Sequence, residues 1–221
     1  MNLTIEQLAQ MIDHTELKPN ASQDRIRQLC QEALQNNFAA VCINPVHVKY
    51  VSELLKGSSV KVCCVVGFPL GANVSEIKAK EAEIAVSHGA QEIDMVLNIG
   101  ALLEQNYDYV MNDIHHVVMA SGSASVKVIL ETGYLSDEDI RKACLIAKEA
   151  GADFVKTSTG FGPRGASVHD VEVMYETIGT EMKIKAAGGI RTYEDALEMI
   201  KAGADRLGAS AGIAILSGFP Q

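Results

Sequence analysis

The chain contains no tryptophan, and aromatic residues make up only 5% of its 221 positions. A surface that stacks nucleic-acid bases on aromatic rings is therefore not expected. Positive charge is also in deficit. Nineteen Lys and Arg stand against 28 Asp and Glu, a net charge of −9. That balance lacks the basic stripe of a nucleic-acid binder and suits anionic membrane surfaces poorly. It still allows a phosphorylated substrate, because a few local cations and backbone amides can hold one phosphate.

Cysteine is sparse and odd in number. Cys30, Cys42, Cys63, Cys64 and Cys144 form no C-x-x-C pair, and two of the five are adjacent inside an apolar run. The pattern reads as reduced, buried thiols of a cytoplasmic protein rather than a disulfide framework. The stretch from Met1 to Asp13 has no cationic segment followed by an apolar block, so no secretory leader is expected. The run Leu207–Gln221 is uncharged but interrupted by glycine, serine and proline. It falls short of the ~18 apolar residues of a membrane span. The six histidines show neither H-E-x-x-H nor a zinc-type Cys/His spacing, so no metal site is expected.

What the chain does have is a rhythm. Eight short runs rich in Val and Ile recur at Met11–Thr15, Ala39–Asn44, Val60–Gly67, Glu92–Asn98, Ser125–Glu131, Asp153–Thr159, Lys183–Gly188 and Asp205–Ser210. The first is short and weak. They are near-continuously apolar, as parallel strands covered on both faces are. Ser136…Asp139, Ser167…Asp170 and Thr192…Asp195 match the hydroxyl-then-acid pattern of a helix start. Gly89-Ala90, Gly151-Ala152 and Gly203-Ala204 each precede a strand and mark helix ends. No Pro/Gly/Ser-rich linker divides the chain. Eight helix–strand units predict one (β/α)8 barrel domain over residues 1–221. An open doubly wound sheet is the rival, but no G-x-G-x-x-G turn follows the first strand.

In such a barrel, polar residues at the C-terminal ends of strands build the active site. Lys156 and Lys185 lie late in neighbouring strands, and Asp94 lies in another. A nucleophilic amine must be neutral, and a second cation nearby disfavours the ammonium form. An aspartate can then move protons once the amine has condensed with a carbonyl. The trio predicts a Schiff-base enzyme. Two further lysines sit in Ser-Val-Lys-Val contexts. Lys61 opens its strand and reads as a solvated end, whereas Lys127 can face the barrel and touch the site. Gly188-Gly189 follows the seventh strand and Gly208-Ala-Ser-Ala-Gly212 the eighth, the positions where barrels hold phosphate. Thr157-Ser-Thr-Gly160 offers further hydroxyl donors, and Arg164 and Arg191 are candidate side-chain contacts. Cys42 reads as a core thiol.

Taken together, Asp13-His-Thr15, Glu92-Ile-Asp-Met-Val-Leu-Asn98, Val126-Lys-Val-Ile-Leu-Glu-Thr-Gly133, Phe154-Val-Lys-Thr-Ser-Thr-Gly160, Lys185-Ala-Ala-Gly-Gly-Ile-Arg-Thr192 and Leu207-Gly-Ala-Ser210 resemble the deoxyribose-phosphate aldolases. The resemblance spans nearly the whole chain. It implies a class I aldolase barrel without metal or organic cofactor, acting on a small phosphorylated sugar in deoxyribose phosphate catabolism. It implies Lys156 as the Schiff-base lysine, Lys185 as its activator and Asp94 as the proton-transfer group. It implies phosphate contacts at Gly188, Gly189, Gly208 and Ser210, with Thr159 and Gly160 on the neighbouring turn. Asp13, Thr15 and Cys42 match positions lining or bordering the pocket. The family often forms homodimers. Two departures stand out. Phe161 occupies a position where some members carry a lysine, which shifts phosphate neutralisation to glycine amides or to Arg164. The chain ends Gly218-Phe-Pro-Gln221, without the terminal tyrosine of some members.

Overall fold

All eight apolar segments form parallel strands: β1 (Ile12–Glu16), β2 (Ala40–Ile43), β3 (Lys61–Val66), β4 (Glu92–Val96), β5 (Ser125–Ile129), β6 (Phe154–Lys156), β7 (Lys183–Ala187) and β8 (Arg206–Ala209). They pair in sequence order and close, β1 bonding to both β2 and β8. The result is a (β/α)8 barrel. The computed structural model describes residues 3–220. Met1, Asn2 and Gln221, the outer limits of the leader and tail readings above, lie outside the described residues.

The weak first segment is a full strand whose charges have partners. Asp13 points into the barrel, and His14 points outward to Glu32, 2.6 Å away. Around the strands run α1 (Ile5–Ala9), α2 (Gln23–Asn36), α3 (Val48–Leu54), α4 (Ser75–Ser87), α5 (Ile99–Leu103), α6 (Tyr107–Ser121), α7 (Asp137–Glu149), α8 (Val168–Ile178), α9 (Tyr193–Ala202) and α10 (Gly212–Ser217). Reciprocal capping boxes start α7 at Ser136 and α9 at Thr192. Ser167 caps α8 by accepting from the Asp170 N–H, but the Asp170 carboxylate does not reciprocate. It turns instead to Thr132 and Arg164. Gly203, at φ +119°, closes α9 in the left-handed region that a side chain resists.

Most apolar burial lies between barrel and helices, where residues such as Ile140, Ala143, Cys144 and Ala147 of α7 seat on the strands. Inside the barrel a separate small cluster unites Leu17, Ala40, Cys42, Cys63 and Val65. The apolar share of the interior thus falls on the side of β1 to β3. The remainder is charged. All five cysteines are free thiols and buried. Among the described residues, no helix is long and apolar enough to cross a membrane.

Candidate active site

Strand register puts the charges in contact. Asp94 of β4 is in register with Lys127 of β5, and Lys156 of β6 with Lys185 of β7. Residues in register on parallel neighbours share a face of the sheet. Here that face is the barrel interior.

Asp94 is the hub. Its Oδ2 accepts from Lys156 Nζ and Lys185 Nζ, each at 2.7 Å. Its Oδ1 accepts from Lys127 Nζ at 3.0 Å and from the Cys63 thiol at 3.1 Å. Lys185 also donates to Asp13 at 2.5 Å, and Arg206 donates to the other Asp13 oxygen at 2.6 Å. Arg206 reaches Glu92 at 3.4 Å, and Lys127 donates to Glu92 at 2.5 Å. The contacts therefore close into a ring that runs Asp94, Lys185, Asp13, Arg206, Glu92, Lys127 and back to Asp94. Lys156 hangs from this ring by its bond to Asp94.

Buried charge is tolerable only when it is paired and hydrogen-bonded. Burial works against the Asp94 carboxylate, yet Lys127, Lys156 and Lys185 outweigh it and hold its pKa well below the usual range. Burial likewise opposes the Lys185 ammonium, but Asp13 and Asp94 keep its pKa well above the ordinary lysine value. Lys127 is raised in the same way, with Asp94 overriding burial. These groups stay ionised. Three buried lysines and the part-buried Arg206 face three carboxylates, so basic side chains outnumber acidic ones by one. Two potential metal-donor sets lie here, Cys42–Cys63–Asp94 and Asp13–Cys63–Glu92. The carboxylates in both are already bonded to ammonium or guanidinium groups, a setting that repels a divalent cation.

Above Lys156, a cavity of about 370 Å³ opens at the C-terminal end of the barrel. Its wall includes Thr15, Lys18, Thr159, Gly160, Gly188, Gly189, Arg191, Gly208 and Ser210 as well as Lys156 itself. Gly188 sits at φ +90°, and a Cβ there would stand 2.9 Å from Gly165 Cα, so two backbones meet without side chains between them. Among the described residues the Gly189 N–H has no protein acceptor, which leaves it available to an anion. Gly208 serves a second purpose: a Cβ there would press on Lys185 Cε at 3.1 Å and Ala187 Cβ at 2.9 Å.

Residues 7–218 match the model of the DeoC/LacD family aldolase. The chain belongs to that family. It is 59% identical over 212 residues to the deoxyribose-phosphate aldolase of Caldanaerobacter subterraneus subsp. tengcongensis, covering 95% of this chain and 92% of the relative. It is 57% identical over 214 residues to that of Clostridium perfringens, covering 96% of each. The solved tetrameric structure of the deoxyribose phosphate aldolase from Aeropyrum pernix superposes with a TM-score of 0.91 at 35% identity, covering 97% of this chain and 91% of that one. This aldolase is accordingly a lyase.

Within the aldolase barrel, several sequence expectations need correction. As substrate contacts, Asp13, Cys42 and Lys127 fail, because they are fully buried beneath the cavity; Cys42 is the core thiol expected, and Lys127 faces the interior against Asp94. Arg164 is not free to meet a substrate anion. It is bound to both Asp170 oxygens and to Thr132 O. Two hydroxyls after β6 are also committed, Thr157 to Ala187 and Thr159 to Glu131, while Ser158 is enclosed without a partner among the described residues. Lys61 stands half-exposed at the barrel base, as expected of a strand opener.

Four residues were missed. Lys18 brings an exposed cation to the cavity from the loop after β1. Glu131 is buried in a left-handed conformation, φ +57°, and accepts from both the N–H and the hydroxyl of Thr159. Glu92 and Arg206 complete the ring. The sequence signal for both was a charge opening an otherwise apolar strand. Gly160-Phe-Gly-Pro-Arg-Gly165 and Gly208-Ala-Ser-Ala-Gly212 also carry the G-x-G-x-x-G and G-x-S-x-G spacings. No helix starts directly after Gly165, and no histidine is bonded to the exposed Ser210 among the described residues. Neither spacing carries its usual chemistry here.

Proposed function

We propose that this aldolase reversibly cleaves 2-deoxy-D-ribose 5-phosphate into acetaldehyde and D-glyceraldehyde 3-phosphate through an imine on Lys156. The observation that carries the reading is the position of Lys156. It is the amine of the cluster that opens on the cavity, while Lys127 and Lys185 are sealed below it. The names of the relatives support the substrate, and the cavity supports a phosphate. Lys18 and Arg191 bring cations to one wall, and the glycine turns bring backbone amides.

The reaction needs Lys156 as the free amine. With Lys156 as the neutral amine, three ring cations face three carboxylates. The amine attacks the C1 aldehyde of the open-chain sugar, and water leaves to give the iminium. Electrons of the C2–C3 bond then flow to the iminium nitrogen as the C3 hydroxyl loses its proton. Glyceraldehyde 3-phosphate departs, the enamine is protonated at C2, and hydrolysis releases acetaldehyde and Lys156. Asp94, held ionised, orients the Lys156 nitrogen and relays these protons with Lys185 and solvent. Such positioned proton transfer contributes about 10²- to 10⁴-fold in rate. The steps require no group beyond the protein and water.

The test is to incubate the protein with deoxyribose 5-phosphate, add borohydride, and map the adduct by peptide mass spectrometry. A reduced adduct on Lys156 is expected. Turnover without any lysine adduct overturns the covalent mechanism in favour of acid–base chemistry. Binding without turnover or adduct points to a sugar-phosphate-binding barrel instead.

A further inference from the structure

The charge ring reaches from the catalytic end of the barrel to the opposite end. Lys156 is the last residue of β6, at the cavity. Glu92 and Arg206 are the first residues of β4 and β8. They lie at the N-terminal mouth, the face that reads as a stability region in this fold. Phe154, which opens β6, lies beneath the cations Lys127, Lys183 and Arg206, each 5.5 to 5.7 Å from its ring centre. The Arg206 side chain is 14% exposed and Glu92 only 1%. A base that served stability alone would not need a desolvated ion pair, because well-packed apolar residues do as well there.

We infer that Glu92 and Arg206 are positioning residues that set the protonation of the Lys156 site from the far end of the barrel. Glu92 acts through Lys127 and Asp94, and Arg206 through Asp13, Lys185 and Asp94. Glu92 accepts from Lys127, which donates to Asp94, the Lys156 partner. Arg206 donates to Asp13, which accepts from Lys185, the other cation on Asp94. The two therefore pull in opposite directions. Removing the negative charge of Glu92 leaves the interior more positive and favours the neutral amine. Removing the positive charge of Arg206 leaves it more negative and favours the ammonium. A unit charge acting over roughly 10 Å at an effective dielectric of about 20 moves a titration by about one pH unit.

Every interior strand contributes to the setting. The groups below Lys156 are Asp13 (β1), Cys42 (β2), Cys63 (β3), Glu92 and Asp94 (β4), and Lys127 (β5). Lys185 (β7) and Arg206 (β8) complete the circuit. Above it, Glu16, Lys18 and Arg191 stand on the cavity wall. Lys61 of β3, half-exposed, lies 3.5 Å from Glu92 and is the outermost member. With so many coupled groups, the measured midpoint belongs to the cluster rather than to one residue.

This inference rests on Lys156 as the imine-forming lysine, and the experiment separates the two claims. Acetaldehyde and cyanoborohydride are applied across a pH series, and reductive alkylation at Lys156 is quantified by peptide mass spectrometry. The midpoint is compared among variants of the intact protein. Glu92→Gln is expected to lower it and Arg206→Gln to raise it, each by about one pH unit. Arg206→Lys and the double variant Glu92→Gln/Arg206→Gln, which conserve net charge, are expected to stay near the wild-type midpoint. Opposite shifts are beyond a merely structural role, which would lower the amplitude of both singles and move neither midpoint. Shifts of the same sign, or none, overturn the inference. If a buried variant does not fold, Lys61→Glu at low ionic strength decides the matter: its midpoint rises if the base tunes the site, and an unmoved midpoint overturns it. Absence of any Lys156 adduct in the wild type refutes the Schiff-base reading itself.

Discussion

Lys156 and Lys185 donate to the same oxygen, Asp94 Oδ2, each from 2.7 Å. Two amino groups share one carboxylate oxygen, and the rest of the ring holds that arrangement in place. The two amines differ in access: Lys185 is closed off and also bound to Asp13, whereas Lys156 faces the cavity. Under the proposed mechanism, that asymmetry makes one lysine the reagent and the other a fixed charge.

Replacing the fixed charge tests this division. Lys185→Met is expected to lower kcat/KM about 10²-fold or more, because proton transfer and amine activation both weaken. It also strips a partner from Asp13 and Asp94, and breaking a buried pair in this way costs about 3–5 kcal/mol. Steady-state kinetics and a thermal melt at the same pH check both outcomes.

At the cavity, we propose Lys18 and Arg191, rather than Arg164, as the cations that meet the phosphate. Lys18→Ala and Arg191→Ala are each expected to raise KM for deoxyribose 5-phosphate by roughly 10-fold, the worth of one hydrogen bond to a charged group. Activity on unphosphorylated 2-deoxyribose should hardly change. Parallel assays with the two sugars measure the ratio. Equal losses on both would remove these residues from phosphate binding.

Glu131 clamps the turn that carries Thr159 and Gly160. A non-glycine residue in the left-handed region costs about 1 kcal/mol or more, so the surrounding contacts must over-determine it. Glu131→Ala is expected to free the Thr159 amide, raising its hydrogen-exchange rate at least about 10-fold, and to raise KM more than it lowers kcat. Hydrogen exchange with mass spectrometry, run beside kinetics, reads both.

Asp170 links stability to pH. Burial alone would raise its pKa, but hydrogen bonds from Arg164 and Thr132 take it below its ordinary value of 3.8. A carboxylate whose folded pKa is depressed contributes stability above the unfolded value and loses it as pH falls through the folded one. Asp170→Asn is therefore expected to lower Tm at pH 7. The gap to wild type should narrow as pH drops below about 4. The Arg164 side chain is 44% exposed, so solvent screening keeps the effect modest. Melts from pH 7 to pH 3 provide the check.

The strands and the cluster of Lys156, Lys185 and Asp94 were legible because both rest on one contrast. Parallel strands covered on two faces read as apolar runs, and Lys156, Lys185 and Asp94 stand out within them as charges that burial makes costly. Glu92 and Arg206 gave no such contrast, since a charge on the first residue of a strand usually meets solvent. Glu131 left no trace, because a left-handed backbone at a glutamate has no residue signature. Arg164 was misplaced for a local reason. Its partner Asp170 occupies a capping-box position, and nothing in the pattern revealed that this carboxylate would capture an arginine instead.

Asp13 is held by Lys185, 172 residues later, and by Arg206, 193 residues later. The circuit of charges thus exists only when the last strand has docked against the first. During refolding, contacts of such sequence separation form late, after the loop-closure entropy has been overcome. A chain missing β8 would leave Asp13 and Glu92 without Arg206 in an open sheet. Imine-forming competence should consequently be the last property to return on refolding, behind secondary structure and behind burial of the helices. The chemistry of the site doubles as a readout of barrel closure.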